Sequence, residues 1–310
     1  MNTDGSSDLD ALASEMARVW PLNGIPTRVD IGVNKATWRV GDFWLSSDFA
    51  AAGESVARLE RLLDRVATEF GRDIAVPQFV PSPHGPVVED FGRVWWVTCN
   101  IPGRHPVPSA EPDMLAVAGG LARMHDALCR IPPEYAVSGD TCEGLFRSGE
   151  RLVSDRRLRF TDDDLDVARQ AGAAVTASLP GVLSREMQIT HGDPSNPNLF
   201  VADSPLRIIG AIDWDYARFD LVISDVATMA QTILFRSGTG RPRQFLEAAL
   251  AAYSAAGGTL LGFNEVLVGV LMVLFEAIAH HGNRYIHGEG GYEHVSGRIE
   301  NMRTVLRLMD

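Results

Sequence analysis

Lysine is almost missing from this chain. Lys35 is the only one in 310 residues, and the rest of the 28 basic side chains are arginines. Biased codon usage in a GC-rich genome accounts for such a skew without any functional reading. Basic charge as a whole is scarce: 28 Lys and Arg face 40 Asp and Glu, for a net charge of −12. A nucleic-acid surface needs a basic stripe, so no nucleic-acid partner is expected, whereas a cationic small molecule is compatible with the balance. Cysteine is nearly as rare. Cys99, Cys129 and Cys142 form an odd set without paired spacing, which fits neither a disulfide framework nor a zinc motif and reads as reduced thiols in a cytoplasmic protein. Long apolar runs are absent too. The longest, Val266 to Phe275, is bounded by Glu265 and Glu276 and is too short to cross a bilayer, so it reads as a buried helix and no membrane partner is expected. The polar, acidic start MNTDGSSDLD is neither a signal nor a transit peptide.

What is present is an ordinary globular composition, 45% hydrophobic and 22% charged, in a chain long enough for two lobes. Behind a short tail at 1–8, expected to be disordered, Leu9 to Trp20 has apolar residues at helical spacing. The runs RVDIGV, ATWRV and DFWLS, separated by VNK and by Gly41-Asp42, predict an antiparallel meander. Gly53 to Phe70 predicts a helix, and VPQFV and RVWWVTCNI predict further strands. The proline-rich PGRHPVPSAEP at 102–112 marks a change of character, giving a sheet-based N-terminal lobe at 1–101 and a larger helical lobe at 102–310. In the second lobe MLAVAGGLARMHDALCRI forms a helix ended by Pro132-Pro133, and TDDDLD opens another over 162–178. Two short strands follow, at Leu199–Val201 and Arg207–Ile212, and then helices at 222–236, 243–256, 264–281 and 293–309.

The densest chemistry lies in ITHGDPSNPNLF at 189–200. Two prolines forbid regular helix there, so the polar side chains sit on a rigid loop. A second acid, Asp213, follows in AIDWDYARFD, fifteen residues after Asn198 and just past a predicted strand. Two strands with HGD before them and Asp after them form a hairpin that converges Asp193, Asn198 and Asp213. Two carboxylates and an amide oxygen are hard ligands that suit Mg²⁺ with its waters and phosphates, and not zinc.

HGDPSNPN followed by IDWD resembles the signature of the aminoglycoside phosphotransferase and choline kinase family, in which HGD, four residues, Asn and a later IDW-type motif recur. GGLARMHDAL at 119–128 is similar to that family's first C-lobe helix, RVWWVTCNIPG to its hinge strand, and FDLVISDVA, with Asp220 and Asp225, to the acids after its metal-binding Asp. The likeness covers residues from about 25 to 310. It implies an α+β, bilobal protein-kinase-like fold with a small antiparallel-sheet N-lobe and a larger helical C-lobe. It also implies transfer of the γ-phosphate of ATP or GTP to a hydroxyl, with Mg²⁺. By the same resemblance Asp193 is the catalytic base, Asn198 and Asp213 are the Mg²⁺ ligands, His191 braces the loop and Asp225 holds it. Cys99 to Ile101 would meet the adenine through backbone groups, and Val33-Asn34-Lys35 would turn over the phosphates.

One position departs from the family. Where it carries Lys or Arg on the third strand, FWLSSD has Ser46. Glu60, with Glu54 as second choice, is the helix acid that such a lysine would pair with. Lys35 reads either as a solvated turn residue or as a phosphate ligand, with Arg28 and Arg39 as rivals. Asp215 reads equally as a substrate-facing acid or a turn residue, Glu276 as a surface residue before an amine contact, and His280-His281 as packing. The acceptor expected is a small, cationic molecule such as an aminoglycoside-like antibiotic or metabolite. A peptide Ser or Thr is the alternative acceptor. The alternatives of other classes are a pseudokinase, suggested by Ser46, and a metal-dependent hydrolase, which the few histidines disfavour. Oligomeric state is not legible.

Overall fold

The computed structural model describes residues 4–20, 22–29 and 35–310. They fall into two units, Met1–Pro102 with Gly210–Asp215, and Gly103–Ile209 with Tyr216–Asp310.

In the first unit, helix α1 (Asp4–Met16) precedes strands β1 (Thr27–Arg28), β2 (Ala36–Val40) and β3 (Phe43–Phe49). Helix α2 (Gly53–Phe70) and strands β4 (Val87–Asp90) and β5 (Arg93–Cys99) complete the N-terminal stretch. The strands make one sheet in the order β1-β2-β3-β5-β4, with every neighbouring pair antiparallel. Side chains alternate faces along a strand, and the sequence exploits this period. Trp38, Val40, Leu45, Trp95 and Val97 pack with Ala13, Met16 and Ala17 of the N-terminal helical segment. Their neighbours Val94 and Trp96 point the other way, onto Val56 of α2. The Trp38 and Trp95 rings stack at 5.8 Å, and Trp38 Nε1 donates to Asp10 Oδ1 at 2.7 Å, so the largest core group leaves no buried donor unmatched. Gly41 turns the β2–β3 hairpin at φ 60.

Three expectations change here. Residues 4–8, expected as a disordered tail, are helical, as the first turns of Asp4–Met16, although Asp, Gly and Ser are all weak helix formers. VPQFV makes only an isolated bridge at Phe79, since Pro77 cannot donate to a ladder. The fourth strand is Val87–Asp90 instead, and of RVDIGV only Arg28 is strand, residues 30–33 lying outside the described residues.

The second unit contains α3 (Glu111–Leu128), α4 (Cys142–Val153), α5 (Asp162–Leu183), β6 (Met187–Thr190), β7 (Leu199–Asp203), β8 (Leu206–Ala211) and β9 (Arg218–Leu221). Helices α6 (Ile223–Arg236), α7 (Pro242–Ala255), α8 (Phe263–Ile286) and α9 (Glu293–Met309) follow. Strands β7 and β8 form a hairpin, β8 crossing into the first unit for its last two residues, and β6 pairs antiparallel with β9. Helix α5 opens with a capping box: Thr161 Oγ1 accepts from Asp164 N, and Asp164 Oδ2 accepts from Thr161 N.

Helix α8 extends well beyond the 266–275 run. Over its 24 residues it is the one described helix long and apolar enough, by length and composition alone, to cross a membrane. In this unit it is the central core helix, with Val266, Leu267, Val270, Leu271, Leu274, Phe275 and Ile278 buried. Helix α4, not foreseen in the sequence, packs tightly on it. A Cβ at Gly149 would lie 2.0 Å from the Phe275 carbonyl oxygen, so glycine is what permits this approach.

Candidate active site

Strand β6 ends at Thr190, and the loop 191–198 begins in the interior of the second unit. Thr190 and His191 are fully buried. The chain turns at Gly192 with φ 85, where a Cβ would sit 2.1 Å from the Tyr216 carbonyl oxygen. The G of HGD is therefore required both by its backbone angle and by its neighbour. Asp225, in the first turn of α6, is completely buried beneath this turn. Its Oδ2 accepts from His191 N at 2.8 Å and its Oδ1 from Gly192 N at 2.9 Å. His125 Nε2, on α3, lies 3.1 Å from the same carboxylate, and His125 Nδ1 is 2.8 Å from the Tyr253 hydroxyl. Burial alone would push the Asp225 pKa up. The His125 hydrogen bond, the nearby imidazoles and the loop amide outweigh it and hold the carboxyl below its ordinary range.

The polar end of the loop is equally fixed. Asn198 Nδ2 donates to Asp193 Oδ2 at 3.0 Å and to the Asp193 carbonyl at 2.9 Å. Asn196 Nδ2 donates to the Pro106 carbonyl at 2.7 Å, anchoring the second proline bend. Asp193 is half-buried, and Asn198 is buried. This gives an acid whose position is set by an amide five residues later, as a general base needs.

Beside it lies an ion cluster. Arg218 on β9, 1% exposed, binds Glu276 of α8 through two parallel hydrogen bonds of 3.0 and 3.1 Å. Its Nε is 3.0 Å from Asp220 Oδ2. Glu276 is thus not the surface residue the sequence suggested. Burial raises its pKa, Arg218 opposes this, and the charges of Asp220 and Asp193 add to the rise. Sequence reasoning assigned no role to Arg218, His125 or Tyr253. The His in ARMHDAL was the one available signal.

In the first unit a second cluster forms. Lys35 immediately precedes β2, and its Nζ lies 2.6 Å from Asp215 Oδ2 and 3.2 Å from Asp213 Oδ1. Burial works against the ammonium, but the Asp215 and Asp213 charges prevail and hold its pKa above the ordinary lysine value. Asp213 has a left-handed backbone, φ 64, a conformation that Asp and Asn tolerate better than other side chains. Trp214 fixes the turn: Nε1 donates to the Ala211 carbonyl at 3.0 Å, and its ring lies 5.9 Å from Phe70.

Ser46 is buried on β3 opposite Thr37 and Trp96. Glu60 forms no ion pair with any described residue, and the other candidate, Glu54, pairs with Arg58 on its own helix. Burial raises the Glu60 pKa, with Asp64 adding to it and Arg61 opposing. Arg28 lies over the Trp38 ring and near Asp10, and Arg39 donates to the Gly41 carbonyl. Cys99 N donates to the Gln78 carbonyl, and Ile101 is buried just beyond it. Val33 and Asn34 lie outside the described residues.

No group of three or more His, Cys, Asp or Glu that could hold a metal occurs among the described residues. The chemistry of the donors nevertheless fits a hard cation. Asp213 already faces a cationic group, the Lys35 ammonium, and Asn198, whose nitrogen is used on Asp193, could offer its side-chain carbonyl oxygen.

No curated protein matches the chain in sequence. Solved structures share its fold. They include an aminoglycoside phosphotransferase, APH(2"), in complex with GDP and kanamycin, 14% identical, with a TM-score of 0.68 over 96% of this chain and 99% of that one. An aminoglycoside phosphotransferase from Streptomyces rimosus, in complex with ADP and streptomycin, is 16% identical, with a TM-score of 0.62 over 87% of this chain and 98% of that one. A choline/ethanolamine kinase family protein from Mesorhizobium loti is 16% identical, with a TM-score of 0.65 over 97% and 94%. These likenesses give the bilobal kinase-like architecture. With residues 28–263 matching the model of the phosphotransferase enzyme family, and the HGD loop and IDWD turn folded as described, the chain belongs to that family.

Proposed function

We propose that this protein transfers the γ-phosphate of ATP or GTP to a hydroxyl of a small, cationic acceptor such as an aminoglycoside-like antibiotic or metabolite. The observation that carries the reading is the Asp193–Asn198 pair on a loop whose amides are held by the buried Asp225. Asp193 orients the acceptor hydroxyl and takes its proton. The acceptor oxygen forms the new bond to the γ-phosphorus as the bond to the β-phosphate oxygen breaks, releasing the nucleoside diphosphate.

Asn198 and Asp213 supply oxygens for Mg²⁺, which when bound would neutralise charge on the β- and γ-phosphates. Lys35 contributes an ammonium to the phosphates, and the backbone at Cys99 to Ile101 meets the base. With the Cys99 N–H engaged by Gln78, the remaining groups of that stretch would make the contact. Glu60 keeps no role in this scheme beyond the surface of α2. The GDP and ADP of the solved relatives support a nucleotide co-substrate, and their kanamycin and streptomycin support a small acceptor. A reducing, cytoplasmic setting accords with three unpaired cysteines.

The test is consumption of ATP and GTP by purified protein across hydroxyl-bearing amines, with the phosphorylated product identified by mass spectrometry and Asp193→Asn as control. Turnover that survives in the control rejects the assignment. The buried Ser46 favours a second reading, a nucleotide binder without turnover, which predicts affinity for nucleotide and no product with any acceptor.

A further inference from the structure

Strand register explains how a lysine outside β3 can replace one missing from it. Ser46 stands opposite Thr37 on β2 and opposite Trp96 on β5, so these three side chains share one face of the sheet. Lys35 is two residues before Thr37 and so follows the same face. Its Nζ lies 6.0 Å from the centre of the Trp96 ring. The ammonium has moved by one strand without changing face.

A lysine serving phosphates also needs a partner that fixes it. Glu60 and Glu54 of α2 do not pair with Lys35. Asp215 does, at 2.6 Å, with both side chains about one-quarter to one-third exposed.

We infer that Asp215 is the positioning residue for Lys35, keeping its ammonium in place for the nucleotide phosphates after a metal ion claims Asp213. This rests on the phosphotransfer reading. An ammonium has three donors, and here two engage Asp215 and Asp213. A cation on Asp213 removes the longer contact. The shorter one remains as a tether, and two donors become available to phosphate oxygens. The IDWD segment thus contains two carboxylates with separate tasks: Asp213 for the metal and Asp215 for the lysine.

Because Lys35 is the only lysine in the chain, protein labelled with ¹³C at the lysine ε-carbon reports this one side chain by a single side-chain resonance. ADP is titrated with and without Mg²⁺ into wild type, Lys35→Ala, Asp215→Asn, Asp215→Glu and the Lys35→Ala/Asp215→Asn double variant. Circular dichroism confirms that each is folded. Asp215→Asn is expected to weaken ADP by roughly ten- to a hundredfold, the loss of one charge-assisted hydrogen bond. The loss should be larger with Mg²⁺, when Asp213 no longer holds the ammonium, than without it; Asp215→Glu should recover part of it, and the double variant should bind no more weakly than Lys35→Ala. In wild type, ADP should shift the Lys35 resonance, and in Asp215→Asn that shift should shrink. Unchanged ADP affinity in Asp215→Asn with Mg²⁺, or additive losses in the double variant, overturns the inference. A Mg²⁺-dependent loss that persists in the Lys35→Ala background would make Asp215 a metal ligand. Failure of wild type to bind any nucleotide rejects the phosphotransfer reading itself, and this inference with it.

Discussion

The Asn198 side-chain nitrogen bonds both the carboxylate and the carbonyl of Asp193, at 3.0 and 2.9 Å. One amide therefore sets the rotamer of the acid and the backbone that carries it. Asp193→Asn keeps the shape but removes the proton acceptor and the charge. Turnover should fall by at least the roughly 10²–10⁴-fold attributed to general-base catalysis. ADP affinity and thermal midpoint should stay close to wild type, as calorimetry and single-turnover assays would show.

Asp213 and Asn198 should differ in their dependence on metal. A carboxylate offers the ion a full charge and an amide only a dipole, so Asp213→Asn should lose more Mg²⁺-dependent nucleotide affinity than Asn198→Ala. Asn is the replacement to use at 213, because the backbone there is left-handed and alanine would add strain. Nucleotide titration with and without Mg²⁺ checks this, and equal, metal-independent affinities in the two variants would reject the ligand assignments.

Asp225 links the loop to the interior, and its effect on stability has a definite sign. Its folded pKa lies below the ordinary carboxylate value despite burial. The stabilisation is thus present above the unfolded pKa of about 3.9 and is lost as pH falls through the folded value. Asp225→Asn turns an amide nitrogen toward groups that need an acceptor and should cost about 1–3 kcal/mol at neutral pH, the penalty of an unmet buried donor. The difference in thermal midpoint between wild type and variant should narrow as pH drops below about 4.

Glycine is needed at 192 and dispensable at 181. Gly192→Ala brings a positive φ and a Cβ 2.1 Å from the Tyr216 carbonyl oxygen, so loop and activity should fail together. Gly181 lies within α5, and a Cβ added there would meet nothing within 4 Å. Gly181→Ala should leave activity alone and raise stability by up to about 1 kcal/mol. Parallel thermal melts and turnover assays compare the two.

The sequence disclosed those parts of the molecule where residue type alone limits the geometry. HGD needs a glycine turn, NPN cannot sit inside a regular α-helix and forms only a single 3₁₀ turn, and β7 and β8 are apolar runs on either side of a short turn. The long helices α3, α5 and α6 to α9 show in their period, with ends displaced by a few residues. Contacts between residues far apart in sequence were hidden. Arg218 and Glu276 are separated by 58 positions, and neither neighbourhood hints at the other. Helix α4 escaped notice because Gly144 and Gly149 weaken its local propensity, while its stability comes from packing on α8. Strands β6 and β9 are four residues each, too short for alternation to register. Glu60 follows from the family resemblance, as the partner of a strand-3 lysine, and that resemblance could not show that Lys35 would be met by Asp215 instead.

The sheet unit is built from two distant pieces of chain. Residues 210–215 join residues 1–102, with Ala211 N donating to the Ala75 carbonyl at 3.0 Å. A ribosome releases the chain from its N-terminus, so this unit, though first in order, stays unfinished until more than half of the helical unit has been synthesised. During translation Lys35 waits for both of its carboxylates, and Phe70 for Trp214. A gene cut after Pro102 would encode every strand of the five-stranded sheet but no Asp213 and no Asp215. The sheet unit of this protein is therefore not a module that truncation could release or fusion could transplant.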